Sequence, residues 1–143
     1  MLSKEDYLSI MKNAPIPCID LALEMPGGYV FIKRDNHPYR GCWAFPGGRI
    51  FKYEAIDETI NRVSREEVGV NTENKRKDLI GIYSVVNSMA PYLIRHDITS
   101  FFHINVKNQR IKTDKFAKEY KISRELPRPT GELYEWEYKD LKR

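Results

Sequence analysis

Between residues 46 and 70 the chain makes a tight glycine turn and runs into an amphipathic helix whose apolar stripe ends on a carboxylate. Pro46-Gly47-Gly48 lets the backbone turn sharply and approach a ligand closely. Glu54 to Glu67 is the strongest helical pattern in the chain, and Gly69 suits its C-terminal cap. At about 100° per residue, Ile56, Ile60 and Val63 fall together as the inward stripe. Glu54, Glu58 and Arg62 fall on another side. Glu67 lands near the centre of the stripe, one turn after Val63, and Glu66 lies at its edge near Thr59. A carboxylate aimed inward loses hydration at a cost of several kcal/mol unless a cation or an Arg partners it. The alternative is a frayed helix end that turns Glu67 to solvent. Two acids at a helix C-terminus also oppose the helix dipole, which favours a compensating cation. A glycine-turn carbonyl, a helix carboxylate and substrate phosphates together suit Mg²⁺, which commonly takes only one or two protein carboxylates.

The rest of the chain surrounds this segment with alternating strands and helices. Ser3 and Asp6 resemble a capping box, so residues 3 to about 13 read as a short helix stopped by Pro15 and Pro17. Ile16 to Glu24 alternates as a strand, and Pro26-Gly27-Gly28 turns it into a second strand, Tyr29 to Lys33. Residues 34–48 form a long Gly- and Pro-rich connection whose Trp43 and Phe45 argue for packed order. Leu79 to Val86 and Ile98 to Val106 are the next strands, with 88–96 looping between them. Lys112 to Tyr120 reads as helical, Glu132 to Glu137 as a last strand, and Tyr138 to Lys142 as a terminal turn. The pattern is α+β: a mixed sheet flanked by two or three helices. A length of 143 residues fits one domain, 1–143.

Composition excludes several classes. No apolar run approaches the roughly 18 residues of a membrane span. The first six residues carry acidic and basic groups and lack an apolar signal core, so a cytoplasmic location is expected. Cys18 and Cys42 give neither a disulfide framework nor a zinc spacing. The net charge of +4 suits a phosphate-bearing small molecule. No zinc-finger spacing, basic helix or RNP-like strand points to nucleic acid as the main partner.

Gly48, Glu54, Arg62, Glu66, Glu67, Gly69 and Val70 stand at the spacing of the Nudix box, a signature of seven fixed positions over 23 residues. The chain therefore resembles the Nudix hydrolases. That resemblance implies the Nudix fold, a mixed β-sheet sandwiched between helices, with the box as loop–helix–loop. Two positions depart: Val63 replaces the Glu that follows the box Arg, and Ser64 replaces the next apolar residue. The missing Glu is usually a metal ligand in Nudix pyrophosphatases. A divergent branch, the GDP-mannose mannosyl hydrolases, also carries an apolar residue there and binds one Mg²⁺. Similarity to that branch extends through Glu5-Asp6-Tyr7, Pro15 to Asp20, Lys33-Arg34-x-Asn36-x-Pro38 and Gly41-x-Trp43-x-x-Pro46 into the box. It is looser through Gly81-x-Tyr83, Asp97 to Phe102 and Tyr134-x-Trp136.

What this second resemblance implies is specific. Glu67 falls at the branch's metal-binding Glu and Gly48 where a backbone carbonyl joins it; Glu66 is a further metal candidate, and by restoring the Glu-Glu pair of the ordinary box it favours a conventional diphosphatase. Arg34 and Arg49 fall at the arginines that steady the diphosphate leaving group, and Asp20 at an acid that contacts substrate. Glu54 and Arg62 look like the ion pair that orients the helix. The implied reaction is Mg²⁺-dependent (or Mn²⁺-dependent) hydrolysis of a nucleotide sugar at the sugar C1, releasing nucleoside diphosphate. A conventional diphosphatase acting at phosphorus and a non-catalytic nucleotide-binding module are the alternatives. A homodimer using the N-terminal segment is implied by the resemblance alone. One departure bears on mechanism: Thr130 and Gly131 stand where the branch has a Gln ligand and a His general base. Glu132 and His96 are the substitutes to consider, while His37, His96 and His103 otherwise read as surface or strand residues.

Overall fold

A computed structural model of the chain describes residues 2–36, 38–89, 93–113 and 117–143. Helix α1 (Lys4–Asn13) starts where Asp6 N–H donates to Ser3 Oγ at 3.1 Å and ends ahead of Pro15. It leads into a hairpin of β1 (Ile16–Met25) and β2 (Gly28–Arg34). Gly28, at φ +139°, is required there, because a Cβ would sit 2.3 Å from the Ser123 backbone. Short strands β3 (Trp43–Ala44) and β4 (Gly47–Arg49) follow, then α2 (Ile56–Val68), β5 (Asp78–Met89), β6 (Leu93–Asn105), β7 (Ala117–Ser123) and α3 (Glu132–Leu141).

The sheet runs β3-β2-β1-β6-β5, with β4 on β1 and β7 on β2. Strand β1 is its centre. One edge pairs in parallel with β6 from Ile16↔Asp97 to Glu24↔Asn105. The other edge is divided between β2 at Glu24 and Met25 and β4 at Cys18 to Asp20. So β1 and β2 part toward their far ends. Both faces of β1 are covered, which is why its burial is nearly continuous. Ile19, Leu21 and Leu23 pack with Ile60, Val63 and Val68 of α2. Ala22, on the opposite face, packs with Phe31, Phe45, Phe101, Leu133 and Tyr134 beneath α3. The expected mixed sheet between helices is thus the observed fold.

Four expectations need correction. Glu132 to Glu137 is helical, and so are most of the following residues. Leu133, Tyr134, Glu137, Tyr138 and Leu141 recur at helical spacing, and the first two and Glu137 are buried. The described part of Lys112 to Tyr120 is no helix: residues 117–120 belong to β7, which caps the hydrogen-bonding edge of β2 through Val30↔Ile122 and Ile32↔Tyr120. Residues 114–116 lie outside the described residues. The expected loop 88–96 is instead strand at 88–89 and 93–96, pairing Val86↔His96 and Asn87↔Arg95. Residues 90–92 lie outside the description. Finally, the connection 34–48 contains β3 and the start of β4, and Phe45 stacks 4.8 Å from both Phe31 and Phe101.

Candidate active site

The box begins with β4. Leu21 N–H donates to Pro46 C=O at 2.8 Å and Ile50 N–H to Pro17 C=O at 3.0 Å, bracketing the Ile19↔Gly48 pair. In an alternating antiparallel ladder, Gly48 therefore turns its N–H and C=O toward Ile19. Gly47 turns away from β1, which makes it, rather than Gly48, the better-placed carbonyl of the turn. Gly47 must be glycine: a Cβ would fall 1.9 Å from Asp20 Oδ1.

Arg62 holds the box together. Its Nε reaches Glu54 Oε2 at 2.6 Å, one terminal nitrogen reaches Glu54 Oε1 at 3.0 Å and the Arg49 carbonyl at 2.7 Å, and the other reaches Glu66 at 3.2 Å. Glu54 also accepts from Phe51 N–H and Thr59 Oγ1. These donors, Arg62 first, lower the Glu54 carboxyl from its usual 4.5 to about 2. Glu54 and Arg62 thus form a bidentate ion pair. Because the folded pKa is depressed, its stabilisation is present above about pH 4.5 and lost as pH falls toward 2. Glu54→Gln is expected to cost about 2 kcal/mol in urea unfolding at neutral pH. That deficit should shrink at acid pH; a deficit independent of pH would contradict the pairing.

Helix α2 buries Thr59, Ile60, Val63, Ser64 and Val68, and Gly69 caps it at φ +69°. Ile56, expected inward, is exposed at the first turn. Val63 packs under Gly48, where a Cβ would meet its Cγ2 at 3.1 Å. Glu67 continues the buried face one turn on and emerges half-buried in a cleft of about 330 Å³. Glu66 is 57% exposed, pairs with Arg62 and does not line that cleft.

The cleft opens where β1 and β2 part. Asp20, Arg34, Gly47, Gly48, Arg49 and Glu67 all line it, so residues spread from 20 to 67 converge there. Arg34 is fixed by its Nε donating to Pro38 C=O at 2.6 Å. Arg95 is a lining residue that sequence reasoning missed. It bonds Asp97 at 2.6 Å, the Tyr7 hydroxyl at 2.9 Å and Cys18 Sγ at 3.5 Å. Burial and Asp97 push the Cys18 thiol up to about 12, so it stays protonated and is no nucleophile.

Asp20 is the chemically unusual group. It is 7% exposed, and burial lifts its carboxyl from 3.8 to about 7. Hydrogen bonding to Glu137 and the charge of Arg34 hold it from rising further. Glu137, on α3, is wholly buried, and burial followed by the charge of Asp20 raises it well above the usual range. Asp20 Oδ2 and both Glu137 oxygens have no other hydrogen-bond partner. Two buried carboxyls that face each other with no donor between them are satisfied when one carries a proton. Glu137, the deeper of the two, is the acid that keeps it and donates to Asp20. Sequence reasoning missed Glu137 because its segment was read as a strand.

The residues proposed as a substitute base lie elsewhere. His96 bonds Ser84 at 2.8 Å, and Glu132 is exposed on the first turn of α3; neither lines the cleft. His103 pairs with Glu24 at 2.6 Å, and His37 lies outside the described residues. Thr130 and Gly131 are structural. Thr130 Oγ1 donates to the Trp43 carbonyl at 2.8 Å, and a Cβ on Gly131 would meet the Tyr39 ring at 2.3 Å.

The cleft's donor set suits a hard cation. Glu67 and the backbone of the glycine turn supply oxygen, and no group of three or more His, Cys, Asp or Glu among the described residues gathers into a metal cage. Mg²⁺ fits such a sparse set, because waters and substrate phosphates complete its octahedron. No described helix is long and apolar enough to cross a membrane.

Comparison with known proteins agrees with the fold and the box. A family model for the NUDIX domain matches residues 16–137. The low-salt glycan biosynthesis protein Agl8 of Haloferax volcanii is 26% identical over 119 residues, covering 82% of this chain and 76% of that protein. The ADP-ribose pyrophosphatase of Methanocaldococcus jannaschii is 32% identical over 105 residues, covering 73% of this chain and 59% of that protein. Among solved structures, a MutT NUDIX hydrolase from Burkholderia pseudomallei superposes with a TM-score of 0.78 at 19% identity, covering 90% of this chain and 99% of that one. The NUDIX domain of Shewanella oneidensis NrtR, solved with ADP ribose, gives 0.72 at 16% identity over 99% and 97%. Box, sheet and family match agree, and the chain belongs to the Nudix hydrolase family.

Proposed function

We propose that the protein is a Mg²⁺-dependent hydrolase of a nucleoside diphosphate sugar, GDP-mannose-like, that releases nucleoside diphosphate and free sugar by attack of water at the sugar C1. The observation that carries this reading is that α2 offers the cleft one box carboxylate, Glu67. Val63 is apolar and buried, and Glu66, paired with Arg62, is not among the residues lining the cleft. That set suits a single metal. Glu67 and a carbonyl of the glycine turn would hold it, and when bound it neutralises charge on the diphosphate oxygens. Arg34 and Arg49 add preorganised positive charge where the leaving group gains negative charge. Asp20 is the base of the cleft: it takes a proton from the water whose oxygen bonds to C1. The C1–O bond breaks, and its electron pair leaves with the diphosphate.

A second reading, attack at phosphorus on a nucleoside diphosphate derivative, draws on the similarity to an ADP-ribose pyrophosphatase. Heavy-oxygen water distinguishes the two. Turnover of GDP-mannose in labelled water should place the label in the sugar; label in the phosphate would refute C1 attack.

A further inference from the structure

The N-terminal helix supplies a residue to the wall of the cleft. Tyr7, on α1, lies against the Arg49 guanidinium, with Arg49 Cζ 4.1 Å from its ring centroid. Arg49 Cζ also lies 5.4 Å from the centroid of the Phe51 ring, and Arg62 Cζ covers Phe51 at 3.7 Å. Ring and guanidinium thus alternate: Tyr7, Arg49, Phe51, Arg62. Both ends of the series are tied. Arg62 is clamped by Glu54. The Tyr7 hydroxyl accepts from Arg95, which is itself held by Asp97 at 2.6 Å and is largely buried, its side chain 13% exposed. Stacking restrains the Arg49 plane while leaving its N–H edges available to an anion, since a guanidinium presents its donors in its own plane.

We infer that Tyr7 is a positioning residue for the anion-binding Arg49, anchored through its hydroxyl by the Arg95–Asp97 pair, so that α1 completes the diphosphate site. The inference rests on the reading of this cleft as a diphosphate site and assigns Tyr7 no direct contact with substrate. An isolated Arg on a three-residue strand would sample many rotamers and lose entropy when it clamps a phosphate; the stack removes that loss in advance.

The test is a double-mutant cycle read by calorimetric binding of inorganic pyrophosphate at fixed Mg²⁺, with ¹⁵N relaxation of the Arg49 Nε in the ligand-free protein. Tyr7→Leu should weaken pyrophosphate binding about tenfold. Tyr7→Phe, which keeps the ring and loses the hydroxyl anchor, should weaken it by less. In the Arg49→Gln background, Tyr7→Leu should cost nothing further. The Arg49 Nε should be ordered in the wild type and mobile in Tyr7→Leu. An equal loss in both backgrounds, or an Arg49 side chain equally ordered in both proteins, overturns the inference. Wild-type protein that fails to bind pyrophosphate counts against the diphosphate reading alone, and the relaxation measurement then decides the positioning role.

Discussion

Asp20→Asn is expected to reduce kcat by on the order of 10²–10⁴, the range a positioned general base contributes. The substitution preserves shape and removes a cleft carboxyl whose proton affinity lies near neutrality. The pH profile carries the sharper form of the prediction. A base must be ionised to act, and the Asp20 carboxyl is raised to about 7. Wild-type kcat/KM should therefore rise with pH through that region, and the rise should be absent from the residual activity of Asp20→Asn. Glu137 sets where the limb falls. It keeps its proton and donates to Asp20, which favours the ionised form. Glu137→Leu withdraws that donor and should move the limb to higher pH, whereas Glu137→Gln keeps an N–H donor and should leave it nearly in place. Bound Mg²⁺ favours ionised Asp20 and shifts the limb downward, so the variants are compared at one Mg²⁺ concentration. A limb that ignores Glu137→Leu would refute the pairing.

The same buried pair affects stability with the opposite sign to Glu54. Raised carboxyl pKa values mean that the folded state binds protons more tightly than the unfolded chain. Their contribution is greatest below the usual Asp value of 3.8 and is lost as pH rises through about 7. Protein kept for crystallisation or spectroscopy should accordingly unfold at lower denaturant in alkaline than in mildly acidic buffer, other titrations being equal.

Glu67→Gln should remove a hundredfold or more of Mg²⁺-dependent turnover, a loss on the order of several kcal/mol of transition-state stabilisation. The amide oxygen is a weaker ligand for a hard cation, so part of the loss should return as Mg²⁺ is raised. The fold should stand, because Glu67 faces the cleft while Ile60, Val63 and Val68 pack the helix. Glu66→Gln is the internal contrast: it should alter the exposed Arg62 pair and leave turnover within a few-fold. Equal losses at 66 and 67, or unchanged turnover in Glu67→Gln, would contradict the assignment of one box carboxylate to the metal.

How far the sequence could be read depended on which period each segment obeyed. Helix α2 declared itself because its pattern is long and one carboxylate breaks it. That anomaly led to Glu67, which the structure brings into the cleft with Asp20, Arg34 and Arg49. The second anomaly was hidden by a wrong period. Tyr134-x-Trp136 looks like strand alternation over a short window. On a helix, the same segment aligns Leu133, Tyr134, Glu137 and Leu141, with a charged residue inside the buried stripe. Treated as a helix, residues 132–141 would have flagged Glu137 as α2 flagged Glu67. Strand β7 was illegible for a different reason: its place depends on the open edge of β2, a tertiary fact no local pattern contains. Arg95 was missed because its value lies in Tyr7, Cys18 and Asp97, which only the parallel β1–β6 pairing and the packing of α1 bring to it.

That β1–β6 pairing also bears on how the molecule assembles. Ile16 cannot meet Asp97, nor Glu24 meet Asn105, until most of the chain exists. The hairpin of β1 and β2 can form early, but it leaves the remaining edge of the central strand unmatched and its apolar faces uncovered. Closure waits on a crossover through α2 and β5, a large loop to close before any contact rewards it. A nascent or truncated chain lacking β6 would therefore carry a sticky, half-paired strand, and refolding from denaturant should run on the slow side for a protein of this length.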